Sequence, residues 1–175
     1  MLPILVQRSD MEKKYQMRAL WDRGARLSGG DLGAGALLGL LVALTLAALM
    51  LVSQVAKLSP LPAPLGVAFA TVVFGKGTLG ARALPWVGLA LHVGYVGGAT
   101  VAYVVAFRSL LGARSAFLAA GALWILAGLV FAPVVGWGFF AVGLGVGAVL
   151  NVLAVHVAFA IALWSGSWLA FRTAR

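Results

Sequence analysis

Four stretches of this chain, 32–56, 84–107, 115–135 and 143–171, are apolar on every side and contain no Asp, Glu, Lys or Arg. A helix that buries one face in a water-soluble core keeps a polar stripe on the other; a helix apolar all round is surrounded by apolar material. Each stretch meets the about 20 residues that an α-helix needs to cross a hydrocarbon layer of about 30 Å. The pattern predicts an all-α protein: a four-helix transmembrane bundle over 32–175, preceded by a polar arm over 1–31. Composition agrees, with 63% apolar and 10% charged residues where soluble domains hold roughly half and a quarter. At 175 residues there is room for one bundle and no separate soluble domain.

The arm follows a different rule. Over residues 8–28, Met17, Leu20, Trp21 and Leu27 recur at helical spacing opposite a cluster of cations. Ser9 with Glu12 fits a capping box, and Asp10–Lys14 and Asp22–Arg26 are i,i+4 pairs in the favourable order. An N-terminal amphipathic interfacial helix is expected. Lys13, Lys14, Arg18, Arg23 and Arg26 would face anionic lipid, at about 1 kcal/mol per charge.

All four acidic residues lie within the first 31 positions, so every later charge is positive. With the N-terminus in the cytoplasm, the arm, Arg108, Arg114, Arg172 and Arg175 fall inside, leaving Lys57, Lys76 and Arg82 outside. The positive-inside rule then places both termini in the cytoplasm. The net charge of +9 is spread along membrane flanks and makes no basic face, so nucleic acid is not an expected partner. The apolar run 1–6 is too short for a signal-peptide core, and its charges follow it, so no cleaved signal is expected. Without Cys there is no disulfide or thiolate chemistry.

The first outer connection, 57–83, begins with Pro60, Pro62 and Pro64, which favour extended backbone. The apolar run 65–74 that follows is too short to span and suits a re-entrant or interfacial piece. Gly75-Lys76-Gly77-Thr78 resembles a phosphate-binding loop only in part: Ala70 stands where Gly is needed, and Gly77 follows the Lys where Ser or Thr is required. Small residues recur four apart at Gly29/Gly33, Gly35/Gly39, Gly94/Gly98 and Gly143/Gly147. Such pairs let helix backbones approach, within the bundle or against another subunit or a second copy.

The two histidines occupy matching frames. His92-Val-Gly-Tyr95 ends sixteen residues on in Ala106-Phe-Arg108, and His156-Val-Ala-Phe159 ends at the same distance in Ala170-Phe-Arg172. The second and fourth helices therefore correspond at constant offset, suggesting a 2+2 pseudo-repeat about an axis normal to the membrane. Equal depth for the two rings follows. Three roles are open to an intramembrane His pair. Each ring can hydrogen-bond backbone or a neighbouring Tyr95, Tyr103, Asn151 or Ser. His92 and His156 can ligate a haem b as axial ligands. They can also relay protons or sense pH.

Other chemistry is thin. A closed zinc site needs four ligands, and two histidines do not supply them. No carboxylate lies within a span to carry coupled protons. Ser165 and Ser167 lie about 14 Å or more along the helix from His156, too far for a Ser–His pair. No enzyme is expected.

Gly33-Ala-Gly-Ala-Leu-Leu-Gly39, the His-small-aromatic segment at His92, Leu129-Val-Phe-Ala-Pro133 with Gly136-Trp-Gly-Phe-Phe140, and a fourth helix containing His together resemble a group of four-helix prokaryotic membrane proteins. These are domains of unknown function, loosely similar to the YagU-type inner-membrane proteins. The likeness covers roughly 32–171 and implies the fold and membrane placement without a catalytic role. The expected function is a small accessory or structural subunit of a larger membrane complex. The alternatives are a haem-binding electron-transfer subunit and a small channel or transporter.

Overall fold

A computed structural model describes residues 29–171, and all regular structure among them is helical. In chain order the helices are α1 (Gly29–Val55), α2 (Leu65–Phe74), α3 (Lys76–Ala106), α4 (Ala113–Val134) and α5 (Val146–Phe171). Four are long and apolar enough to cross a membrane: α1, the Arg82–Ala106 part of α3, α4 and α5. The chain is a multi-pass membrane protein built as an all-α four-helix bundle. The expected interfacial helix, with Lys13, Lys14, Arg18, Arg23 and Arg26, and the Arg172 end of the repeat lie outside the described residues.

Helix ends differ from expectation where backbone geometry intervenes. The fourth span begins at Val146 instead of 143, because Phe139–Leu144 forms a short 3-10 segment ended by Gly145 at φ 94°. The run 65–74 is a helix, and Gly75 (φ 72°) turns the chain directly into α3. Gly80 (φ 69°) then breaks α3 near its start, so the membrane-length part begins at Arg82.

Within the bundle α1 packs against both α3 and α5, α4 packs against α5, and α2 lies along α3. Among the spans α1 approaches α3 closely: a Cβ added to Gly39 would stand 2.9 Å from the Gly97 carbonyl oxygen. Gly35, one turn earlier, meets Val104 at an ordinary 3.4 Å. Gly166 of α5 receives Leu38 of α1, and Gly66 of α2 lies against the Gly88 carbonyl. Not every spaced pair works this way. Gly94 and Gly98 have nothing within 4 Å of where a Cβ would stand, among the described residues. Gly143 tucks against the Trp137 carbonyl inside a turn, and Gly147 meets only Pro60.

Helices α3 and α4 meet through side chains. Tyr95 stands edge-on to Phe131 at 5.4 Å, and Tyr103 Oη lies 3.1 Å from Ser115 Oγ. Helix α4 widens into a π turn at Ala127–Phe131, where the Ala132 N–H reaches the Ala127 carbonyl. Pro133 explains it. Proline lacks an N–H and crowds the carbonyl four residues back, and a wider turn relieves both effects. Past the helix, Phe140 and Ala141 adopt left-handed backbone, which brings the Phe140 ring onto Gly128 and Trp124.

One end of the bundle is tied by charge. Arg108 donates from Nη2 (2.9 Å) and Nε (3.0 Å) to Asp31 Oδ1, while its guanidinium lies 5.1 Å over the Phe171 ring. The start of α1, the end of α3 and the end of α5 are thus gathered together. Sequence reading gives Arg108 as a loop cation and as the end of the repeated frame, without a partner; the pairing emerges because α1 and α3 are antiparallel neighbours of matched length.

Candidate functional site

His92 and His156 each lie ten residues into their spans, counted from Arg82 and Val146. At 1.5 Å per residue that is about 15 Å along each helix. Both rings line one cavity of 440 Å³ in the half of the bundle away from the Asp31–Arg108 clamp. Every long helix contributes to its wall, with Leu46 from α1, Tyr95 from α3 and Phe131 from α4, while Phe69 of α2 and Trp137 help close the far end. Among the described residues no Asp, Glu, Lys or Arg lines it. Two features of α4 shape the space: the π turn carries Ala127 and Phe131 at the wall, and the Tyr95–Phe131 contact props α3 and α4 apart.

Each ring is engaged with backbone. His92 donates from Nε2 to the Ala43 carbonyl at 3.2 Å, joining α3 to α1. His156 donates from Nδ1 to the Val152 carbonyl of its own helix at 2.8 Å. The two rings thus bond differently, one across to α1 and one within α5. Such contacts are worth on the order of 1 kcal/mol each in a membrane. A haem iron needs a ring lone pair. Nε2 of His92 directs its N–H to Ala43, so axial ligation there requires that cross-link to break. Among the described residues no group of three or more His, Cys, Asp or Glu is placed to hold a metal ion.

Tyr95 Oη is buried at the cavity and has no hydrogen-bond partner among the described residues. A buried hydroxyl left unpaired costs about 1–3 kcal/mol, so it is a place where a bound molecule would gain. The half-buried Asn151 side chain stands at the cavity wall, in the second turn of α5. Tyr103 belongs elsewhere: its hydroxyl joins Ser115 near the 107–112 turn, where Ser115 donates to the Leu110 carbonyl at 2.8 Å. Ser165 is exposed and donates to the Ile161 carbonyl.

The cavity has a side and an end. On α3, Ala90 and Gly94 line it and are also exposed, so it opens sideways between helices at these two small residues. A smaller chamber of 150 Å³ adjoins it at the end of α1, and Met50, Leu61, Asn151 and Val155 line both spaces. Ser53, Gln54 and Ser59 give that chamber its polar wall. These three were not singled out by sequence reasoning. Their only signal is a run of polar side chains just where the apolar stretch of α1 gives out.

No family model, curated protein or solved structure matches this chain.

Proposed function

We propose that this multi-pass protein holds an apolar small molecule, taken up sideways from the bilayer, and performs no chemistry on it. It would serve as a small ligand-holding subunit of a larger assembly in a prokaryotic cytoplasmic membrane, with both termini on the cytoplasmic side. The observation that carries this reading is one cavity walled by all four spans, lined by both histidines and by Tyr95, whose buried hydroxyl has no partner among the described residues. Its 440 Å³ falls within the about 300–1,000 Å³ typical of small-molecule sites. Apolar walls with a few fixed polar groups suit a hydrophobic ligand held in one orientation.

The test uses the full chain in lipid nanodiscs with a diazirine-bearing dodecyl probe. Photolabelling should map to α3 and α5 around Gly94 and His156. Gly94→Leu should reduce it about tenfold, since a well-fitting obstruction costs what a lost apolar ligand contact of that size gains. The leucine has room to stand, because nothing lies within 4 Å of its Cβ. The fold should therefore survive, as checked by thermal unfolding. Labelling unchanged by Gly94→Leu, or spread evenly over lipid-facing surfaces, would refute the site.

Orientation is tested separately. The basic residues flanking the clamped end favour the cytoplasm for that end. A thiol introduced as Leu110→Cys should react with an impermeant maleimide only after cells are opened. Reaction in intact cells would invert the topology.

A further inference from the structure

The two joined chambers differ in chemistry, and the difference specifies the ligand. On the reading that the cavity is a binding site, we propose that its occupant is an uncharged amphiphile. Its hydroxyl or carbonyl head sits in the small chamber beside Asn151 and Gln54, and its hydrocarbon part lies in the main cavity.

The head site is polar but carries no charge. Ser53, Gln54, Ser59 and Asn151 are its polar side chains, and among the described residues no Lys, Arg, His, Asp or Glu lines it. Burying a charged head there would leave it without a counter-charge, which is far costlier than burying a neutral one. Phosphate, carboxylate and ammonium heads are disfavoured on that ground.

The hydrogen-bond inventory points the same way. Gln54 uses its Nε2 on Ser59 Oγ (3.1 Å) and the Leu61 carbonyl (3.2 Å), leaving its Oε1 as an acceptor. Ser53 spends its proton on the Met50 carbonyl. Asn151 lines both chambers, and its amide supplies N–H donors and a carbonyl acceptor at their boundary. Ser59 Oγ accepts from Gln54 Nε2 and from the Leu61 N–H, which leaves its own proton to donate. Donors beside acceptors match an alcohol, and the donors alone serve a carbonyl.

Geometry completes the match. The small chamber lies at the end of α1 and the start of α5, opposite the Arg108 clamp, so it sits near a membrane surface. The histidines mark the deeper part, about 15 Å down each helix. A molecule with its head at the small chamber and its tail toward His92 and His156 keeps the orientation of a lipid in the adjoining leaflet. Passage from the bilayer needs only the Ala90–Gly94 opening.

The experiment uses three diazirine probes sharing one dodecyl chain: the alkane, the alcohol and the phosphate monoester. Each competes for the full chain in nanodiscs. The alcohol should label the cavity about tenfold better than the alkane, the size of one well-made neutral hydrogen bond, and the phosphate should label least. Asn151→Leu should bring the alcohol down to the alkane level while leaving the alkane unchanged. If that variant does not fold, Gln54→Met at the chamber wall carries the same expectation. Equal labelling by alcohol and alkane, indifferent to either variant, overturns the head site and leaves the cavity reading intact. Preference for the phosphate overturns the uncharged assignment. Failure of all three probes to label the cavity overturns the earlier reading itself.

Discussion

Gly39→Leu is expected to abolish the folded bundle, and Gly39→Ala to weaken it by about 1–3 kcal/mol, the usual cost of forcing extra atoms into a packed contact. The reason is backbone, which has no rotamer by which to yield. A Cβ at residue 39 would face the Gly97 oxygen at 2.9 Å, the Gly97 Cα at 3.0 Å and the Thr100 Cβ at 3.2 Å. Relief requires α1 and α3 to separate, and that opens the contact around Val42, Val96 and the fully buried Thr100. His92 would also lose the Ala43 carbonyl, which lies one turn further along α1. Gly35→Ala is the control. It meets only Val104 side-chain atoms, at 3.4 Å and beyond, and should change stability little. Thermal unfolding in mild detergent, followed by tryptophan fluorescence, ranks the three variants. Equal tolerance of alanine at 35 and 39 would contradict the crossing described.

Removing either charge of the Asp31–Arg108 pair is expected to cost about 1.5–3 kcal/mol, the range for a hydrogen bond to a charged group. The side chains are only 13% and 22% exposed respectively, so the charge left behind is poorly hydrated. The site is at a bundle end, not in mid-membrane, which keeps the penalty below that of a fully buried pair. Asp31→Asn with Arg108→Ala should cost less than the two changes added, because the second removes a charge the first has orphaned. Arg108→Lys should fall between. It retains the charge but gives up the second N–H donor on Oδ1 and the flat stacking surface over Phe171. The readout is a double-mutant cycle on unfolding free energy. Additive losses would mean that the pair is geometric coincidence.

The two predictions test features of unequal visibility in sequence. A glycine pair at positions 35 and 39 is readable as a place of close approach, but its partner Gly97 is not. The spacing rule selects Gly94 and Gly98, and these turn away from every described neighbour. Asp31 and Arg108 are separated by 77 residues, and nothing in the local sequence of either names the other. The histidine frames are different. Their shared sixteen-residue interval anticipates equal depth, and both rings do lie ten residues into their spans. That both line one space, one bonded across to α1 and the other within its own helix, needed the packed bundle to show. The polar chamber was least legible. Ser53, Gln54 and Ser59 look like an ordinary frayed helix end until α5 brings Asn151 beside them.

By itself the sequence determined how many helices are long and apolar enough to span, roughly how long they are and how far along its helix each histidine stands. All of these depend on composition counted along one helix axis with a constant rise per residue. Tertiary structure alone decided which glycines touch, which charge meets which, and where the interior stays open. A helix that is apolar all round has no preferred face in hydrocarbon, so its rotation about its own axis is set by the shape of its neighbours.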